Sequence, residues 1–208
     1  VFSEPVSDSV LAYVLLFCRR IMEKNYLVKN DKWEKVESYA LNETSLGIIG
    51  LGHIGKVLAR KAIALGMKVY GYDLKPDKTF INQNRIELLS MKKLLEKSDF
   101  VSLHCDLNKS TYHLIGKEEF ELMKPSSVII NTCRGEVIDQ KSLEDALVKN
   151  QIHGAALDVF EIEPLPKSSK LRNLNNVFLS PHNSNASPKV FKTVDLESIS
   201  NIFKGLQL

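Results

Sequence analysis

Leu46-Gly47-Ile48-Ile49-Gly50-Leu51-Gly52-His53-Ile54-Gly55 is the stretch whose reading decides the fold. Residues 46–49 form a short apolar run of the kind that fills a buried parallel strand. Residues 50–55 fit G-x-G-x-x-G, and residues 54–65 read as a helix with Ile54, Val57, Leu58, Ala62 and Leu65 on one side and Gly66 placed to end it. The glycine pattern is weak alone. It gains force from the strand before it, the helix after it, and Asp73 at the end of the next strand, about 20 residues downstream. Gly50 permits the tight turn, Gly52 lets the backbone approach a pyrophosphate with no Cβ in the way, and Gly55 lets the helix pack close to the strand. Free N–H groups near His53 and Ile54, at the positive end of the helix, would receive the phosphate charge. Asp73 can accept hydrogen bonds from both ribose hydroxyls of NAD and would repel a 2′-phosphate, so NAD is expected over NADP, with Lys75 close by.

Working outward, strand and helix patterns alternate. Residues 7–23 read as one helix, with Val10, Leu11, Val14, Leu15, Cys18, Ile21 and Met22 at three- and four-residue spacing. Residues 25–43 are polar and irregular, the look of a surface arm, and hold the single tryptophan, Trp33. Strands are expected at 67–72, 99–103, 128–131, 152–157 and 177–179. Helices are expected from Ser90 as N-cap to 97, over 117–123 ahead of Pro125, from Asp139 or Ser142 as cap to 149, and from Ser187-Pro188 to about 204. This order predicts an α/β fold built on a doubly wound parallel sheet.

The composition narrows the partners. The 208 residues are 44% hydrophobic, enough for a sizeable core, and 28 Lys and Arg against 25 Asp and Glu leave a charge of only +3. Such a balance argues against a dedicated nucleic-acid surface. The longest apolar run, residues 10–18, is too short for a membrane span and is followed by Arg19 and Arg20, so no membrane partner is expected. Three widely spaced cysteines fit neither a disulfide framework nor a metal site and point to a reducing, cytoplasmic compartment.

Three later segments carry chemistry. Asn131-Thr132-Cys133-Arg134-Gly135, followed by Val137-Ile138-Asp139 and Leu143, resembles the arginine signature of the D-isomer-specific 2-hydroxyacid dehydrogenases. Residues 155–164, Ala-Ala-Leu-Asp-Val-Phe-Glu-Ile-Glu-Pro, resemble their acidic signature, and Ser180-Pro181-His182 with Ser187 resembles their histidine signature. The order Arg, Glu, His is the family's order, and the resemblance covers nearly the whole chain from Ser7 on.

The resemblance implies a Rossmann-type NAD-binding domain and NAD-dependent interconversion of a D-2-hydroxy acid and its 2-keto acid. It implies His182 as the acid/base, Glu163 as the carboxylate that orients it, and Arg134 as the grip on the substrate carboxylate. The chemistry suits those residue types. A carbonyl oxygen that gains charge needs a proton donor working near neutral pH, and a planar guanidinium matches a carboxylate. The resemblance places Asp158 on the nicotinamide carboxamide and puts Thr132 and Cys133 beside the cofactor. Cys133 has no sequence-local base and reads as packing rather than as a nucleophile; His53 between glycines contributes backbone; His104 at a strand end reads as a structural histidine.

Family members have two lobes, and the resemblance divides this chain accordingly. Residues 1–43 are expected to form an interdomain helix and dimerisation arm, 44–183 the NAD-binding domain, and 184–208 a return helix belonging to a substrate lobe whose front part is missing. A homodimer follows, as does a chain that binds NAD but has little activity, because one wall of the cleft is absent. Asp106, where the family often has proline, is a departure near the cofactor. A competing class is a non-catalytic NAD-sensing or corepressor-like scaffold of the same fold; a methyltransferase, which also uses a glycine-rich loop, has no role for the Arg/Glu/His set.

Overall fold

A computed structural model describes residues 1–206 of the chain. In chain order it holds α1 (Ser3–Cys18), α2 (Ile21–Lys29), β1 (Ser45–Ile49), α3 (His53–Ala64), β2 (Lys68–Tyr72), α4 (Lys78–Asn84), β3 (Glu87–Leu88), α5 (Met91–Lys97), β4 (Phe100–Leu103), α6 (Lys117–Leu122), β5 (Val128–Asn131), α7 (Gln140–Val148), β6 (Gly154–Leu157), β7 (Val177–Leu179) and α8 (Pro188–Gly205). The seven strands form one sheet in the order β3-β2-β1-β4-β5-β6-β7. Every pair is parallel. The order reverses beside β1, which pairs with β2 on one side and β4 on the other, and that switch point opens a crevice at the carboxyl ends of the strands.

Each face of the sheet is covered. Leu46 and Ile48 of β1 join Val10, Val14, Leu58 and Ala62 from α1 and α3 on one face. On the other, Ile49 joins Leu94, Val101, Phe120, Ile129 and Leu143 under α5, α6 and α7. Both layers are fully dry at their centres, with Leu46, Ile48, Leu58, Leu94 and Ile129 at 0% exposure. By surface-area reasoning each such side chain stabilises the fold by about 1.5–3 kcal/mol. Truncating any of them would also leave a cavity.

Local signals explain most element ends. Gly66 takes φ +87. Its N–H reaches Ile63 O at 2.9 Å and the Met67 N–H reaches Ala62 O at 3.0 Å, the paired bonds of a glycine-terminated helix. Leu65 was expected on the buried side of this helix; it caps the helix instead and is exposed, and the buried stripe is Gly55, Leu58, Ala59 and Ala62. Asp139, not Ser142, caps α7 and accepts from the Ser142 N–H at 3.1 Å. Ser90 caps α5.

The N-terminal segment departs from expectation. The single helix expected over 7–23 is two helices, because Arg20 adopts the left-handed conformation, φ 47. Ile21 and Met22, which continue the apolar spacing, therefore turn away from the core and are exposed. The end of α1 is closed by the arm folding back: Tyr39 N–H donates to Cys18 O at 2.9 Å. The stretch read as irregular from residue 25 is helical to Lys29. Two small elements, α4 and β3, have no counterpart in the sequence reading. Asp77 caps α4 and Phe80 and Ile81 bury it, while β3 is two residues at the sheet edge, too short to show a period. The segment expected as a return helix, 184–208, is helical as α8; its residues 207–208 lie outside the described range.

Candidate functional site

The residues assigned to cofactor or chemistry in the sequence sit on one edge of the sheet, because each belongs to a segment that follows a strand. Gly50 follows β1, Asp73 follows β2, and Thr132, Cys133 and Arg134 follow β5; Asp158 follows β6, and His182 lies just past β7. A cleft of ≈ 480 Å³ opens there, lined among others by Ile54, Thr132, Cys133, Arg134, Asp158 and His182.

The glycine turn is built for a close ligand. Gly50 has φ +97, and a Cβ on it would press on the backbone of His104 and Cys105. A Cβ on Gly55 would strike the carbonyl of Gly50, so this residue lets α3 start flush against β1. Gly52 is different: its Cβ would meet nothing within 4 Å. The fold does not need glycine at 52, whereas a ligand lying on the turn would. Gly52 caps α3 without a side-chain bond, and the first N–H groups of the helix, at His53 and Ile54, are free to receive an anion. The His53 side chain is exposed. Asp73 braces the turn from β2: Oδ2 accepts the Leu51 N–H and Oδ1 the Lys75 N–H, both at 2.7 Å. Each oxygen keeps a lone pair for a hydroxyl.

Fit to a dinucleotide is tested further along the cleft. Thr132 Oγ1 is buried without a hydrogen-bond partner among the described residues, and so is Ser184 Oγ. Both residues line the cleft. Buried hydroxyls left unpaired cost about 1–3 kcal/mol each, and a bound polar ligand recovers that cost. Open space over Gly52, free helix amides, a carboxylate at the next strand end and two unpaired hydroxyls together match pyrophosphate, ribose and carboxamide in turn.

The Arg134 turn is tied to the acidic loop by contact. A Cβ on Gly135 would run into the backbone of Phe160 and Glu161, so only glycine lets these two loops touch. Asn131 is the hub of the turn: Oδ1 accepts the Cys133 N–H at 3.1 Å and Nδ2 donates to Arg134 O at 2.8 Å. Arg134 is exposed and its guanidinium donates to Cys133 O at 2.6 Å. Beyond Phe160 the chain bends back, and Glu163 Oε1 accepts the Phe160 N–H at 3.0 Å. Its other oxygen lies 2.8 Å from His182 Nδ1. An ionised carboxylate only accepts, so Nδ1 carries the proton and Nε2 faces outward.

His182 is held in a costly conformation. Its φ is 54, a left-handed value that non-glycine residues rarely take. Asp158 enforces it. The His182 N–H donates to Asp158 O at 2.8 Å, and the two Asp158 carboxylate oxygens accept the N–H groups of Asn183 and Ser184, each at 2.8 Å. The imidazole stands where two hollows meet, the cleft and an apolar pocket of ≈ 500 Å³ that includes Phe160, Leu165 and Leu179.

The structure thus brings Glu163 and His182 into direct contact and sets Arg134 in the same cleft as His182. Three contributors escaped sequence reading. Ser184 is one, and Gly135 as a contact point between loops is another; its sequence signal was the glycine right after Arg134. The third is Tyr13 of α1, whose phenol pKa is pushed up by burial and by the Asp158 charge, against the pull of Ser180. His104 also lines the cleft. Its Nε2 lies 2.8 Å from Ser102 Oγ, and burial drives its pKa down to about 4, so it is neutral at pH 7. No cluster of three metal-ligating side chains occurs among the described residues, and no helix among them is long and apolar enough to cross a membrane.

A parallel sheet with a glycine turn at its switch point and a histidine–carboxylate pair on the same rim defines an α/β domain of the nucleotide-binding kind. Residues 11–184 match the family model "D-isomer specific 2-hydroxyacid dehydrogenase, NAD binding domain". The chain belongs to this family, and the cofactor of this domain is NAD. It is 40% identical over 193 residues to the glyoxylate reductase of Korarchaeum cryptofilum, covering 90% of this chain and 58% of that protein. It is 38% identical over 205 residues to the D-3-phosphoglycerate dehydrogenase of Escherichia coli, covering 96% of this chain and 50% of that one. Its fold superposes on Aquifex aeolicus D-lactate dehydrogenase complexed with NAD and lactic acid, with TM-score 0.91 and 29% identity, over 99% of this chain and 67% of the other. The chain thus spans between half and about two thirds of these proteins' lengths.

Proposed function

We propose that this domain serves an NAD-dependent oxidoreductase that interconverts a D-2-hydroxy acid and its 2-keto acid. The observation that carries the proposal is the His182–Glu163 pair, 2.8 Å apart, on the rim of the cleft that Arg134 also lines. NADH, when bound, supplies the hydride. His182 gives the proton to the carbonyl oxygen from Nε2, the nitrogen that Glu163 leaves free. Glu163 fixes the tautomer and the ring orientation. Arg134 holds the substrate carboxylate through two parallel N–H bonds, which its planar fork favours. Gly50, Gly52, Gly55 and the amides of His53 and Ile54 seat the pyrophosphate, Asp73 takes the adenosine ribose, and Thr132, Cys133 and Asp158 border the nicotinamide end.

Relatives named for glyoxylate, hydroxypyruvate and 3-phosphoglycerate share this domain, so small 2-keto acids of that kind are the substrate class. Residues 44–183 form the NAD-binding unit, residues 1–43 the interdomain helix and dimer arm, and residues 184–208 the strap toward a substrate lobe. Support for the last is α8, which leaves Phe191, Leu196, Ile199, Ile202 and Phe203 half exposed or more. With Arg134, Glu163 and His182 all exposed, the 208 residues alone bind NAD but exclude water poorly and turn over slowly. The test is NADH fluorescence titration of the chain, followed by assay against glyoxylate, hydroxypyruvate and 3-phosphohydroxypyruvate. Saturable binding with slow formation of the D-hydroxy acid is expected. Absence of NADH binding, or formation of the L-product, overturns the proposal.

A further inference from the structure

The cleft wall carries two thiols that neither donate a proton nor carry a hydride in the proposed reaction. Cys105 follows β4 and Cys133 follows β5. The last register pair of these strands is Leu103 with Asn131, so each cysteine lies two residues past it, where the chain leaves two neighbouring strands. Neighbouring strands run about 4.8 Å apart, inside the Cα–Cα window of roughly 4.4–6.8 Å that a disulfide spans. Both residues are half-buried free thiols and both line the open cleft, where a small polar oxidant can reach them. The two are chemically unequal. The Cys133 thiol beside it holds the Cys105 pKa below the ordinary thiol value, while Cys105 and burial push Cys133 well up. The order of attack assigned to the pair starts from Cys105, and sulfenic-acid labelling tests it.

The geometry points to a peroxide-sensitive thiol pair, in which Cys105 and Cys133 join in a disulfide that weakens dinucleotide binding in the cleft. Hydrogen peroxide is the oxidant. The Cys105 thiolate attacks one peroxide oxygen, the O–O bond breaks, and Cys105 becomes a sulfenic acid as hydroxide leaves. The Cys133 sulfur then displaces the sulfenic oxygen as hydroxide, and the thiol proton and solvent complete the second water. Two thiols and one peroxide give one disulfide and two waters; the sulfurs lose the two electrons that the peroxide gains.

The consequence for the cleft follows from Asn131. Its Oδ1 accepts both the Cys133 N–H and the Cys133 S–H at 3.1 Å, and its Nδ2 holds Arg134 O. A disulfide removes the S–H donor and draws the Cys133 sulfur to about 2.05 Å from its partner. The turn carrying Thr132 and Arg134 must shift with it. This effect on binding rests on the dinucleotide reading of the cleft, whereas the cross-link does not.

The experiment treats the purified chain with hydrogen peroxide, maps its peptides by mass, and titrates NADH into the reduced, oxidised and re-reduced samples. A linked peptide pair carrying Cys105 and Cys133, with Cys18 still free, is expected, together with NADH affinity weakened roughly tenfold, the worth of about one cleft hydrogen bond. Dithiothreitol restores both. In Cys133→Ser, peroxide leaves a sulfenic acid at Cys105 that a 1,3-diketone labels; in Cys105→Ser, Cys133 stays unlabelled. Absence of the linked pair overturns the disulfide, and a linked chain with unchanged affinity overturns its effect on the cleft. Labelling at Cys133 instead overturns the order of attack. A reduced chain that binds no NADH counts against the dinucleotide reading alone, since the peptide map decides the cross-link separately.

Discussion

Glu163 divides its carboxylate between two duties: one oxygen lies 2.8 Å from His182 Nδ1 and the other accepts the Phe160 amide at 3.0 Å. The second bond fixes the first, because a glutamate anchored to its own loop has few rotamers left. His182→Gln is expected to abolish keto-acid reduction to background while leaving NADH affinity within about twofold, since the proposed role turns the ring to the substrate. Glu163→Gln should retain binding and lose roughly 10²-fold in turnover, the usual worth of a positioned acid/base group. Stopped assays with paired fluorescence titrations check both. Loss of NADH binding in His182→Gln would move the histidine out of its proposed role.

The glycines separate fold from ligand. Gly52→Ala adds a methyl into open space at an ordinary φ of −72, so the fold should lose no more than about 1 kcal/mol, the modest advantage of glycine over alanine at a helix N-cap. Dinucleotide affinity should fall at least roughly tenfold, because the methyl occupies the approach to the pyrophosphate. Gly55→Ala drives a methyl into the Gly50 carbonyl and should cost about 1–3 kcal/mol of stability as overpacking. Melting curves beside NADH titrations distinguish the two; equal destabilisation by both would remove the assignment of Gly52 to the ligand.

Much of this was legible in sequence because strand ends are where open α/β sheets put their ligands. Once β1 and the glycine turn were located, Asp73 followed at the end of the next strand; Arg134, Asp158 and His182 were picked out by the resemblance to the family's signatures, and each lies just past a later strand. What could not be read was anything decided between distant loops. Gly135 looks ordinary until the Phe160 backbone is seen against it. Ser184 gains meaning only from its place beside Asp158. The break at Arg20 was hidden because the apolar spacing runs on through Ile21 and Met22, and only the left-handed turn shows that the helix axis does not. Edge elements such as β3 are too short to carry a period at all.

Asp73 is expected to set cofactor choice. Its two oxygens already hold the turn through Leu51 and Lys75, so its charge sits fixed at the place that the proposed binding mode gives the ribose. Asp73→Ser removes a like-charge clash worth several kcal/mol and leaves Lys75 to attract the phosphate. The ratio of NADH to NADPH affinity should drop at least roughly tenfold, with some loss of NADH affinity as the Leu51 amide loses its partner. Parallel titrations with the two cofactors measure it, and an unchanged ratio would place the ribose elsewhere.

The arm between α2 and β1 is expected to meet a second copy. Trp33 is 93% exposed, and Tyr26, Val28 and Tyr39 stand more than half exposed nearby in sequence. Aromatic side chains of this size are the residues that anchor interfaces. Sedimentation at micromolar concentration should give a dimer, and Trp33→Ala should weaken it by about 2 kcal/mol, near thirtyfold in dissociation constant. A monomer in the unsubstituted chain would leave the arm packed on its own domain only.

Stability in acid should depend on Asp99, far from the cleft at the other end of the sheet. One oxygen accepts the Ser45 N–H and hydroxyl at 2.8 and 2.6 Å, and the other meets Lys124 Nζ at 2.9 Å. Burial raises the carboxyl pKa, but the Lys124 charge and the Ser45 donors outweigh it and hold the net value below the ordinary one. A depressed pKa stabilises the fold fully above the unfolded value, about 3.9, and the contribution fades as pH falls through the folded value. Asp99→Asn should therefore cost about 1–3 kcal/mol at pH 7 and progressively less below pH 4, where both chains carry a neutral group at this position. Urea unfolding across that range checks the convergence. A cost independent of pH would mean that Asp99 acts through the shape of its hydrogen bonds, without help from its charge.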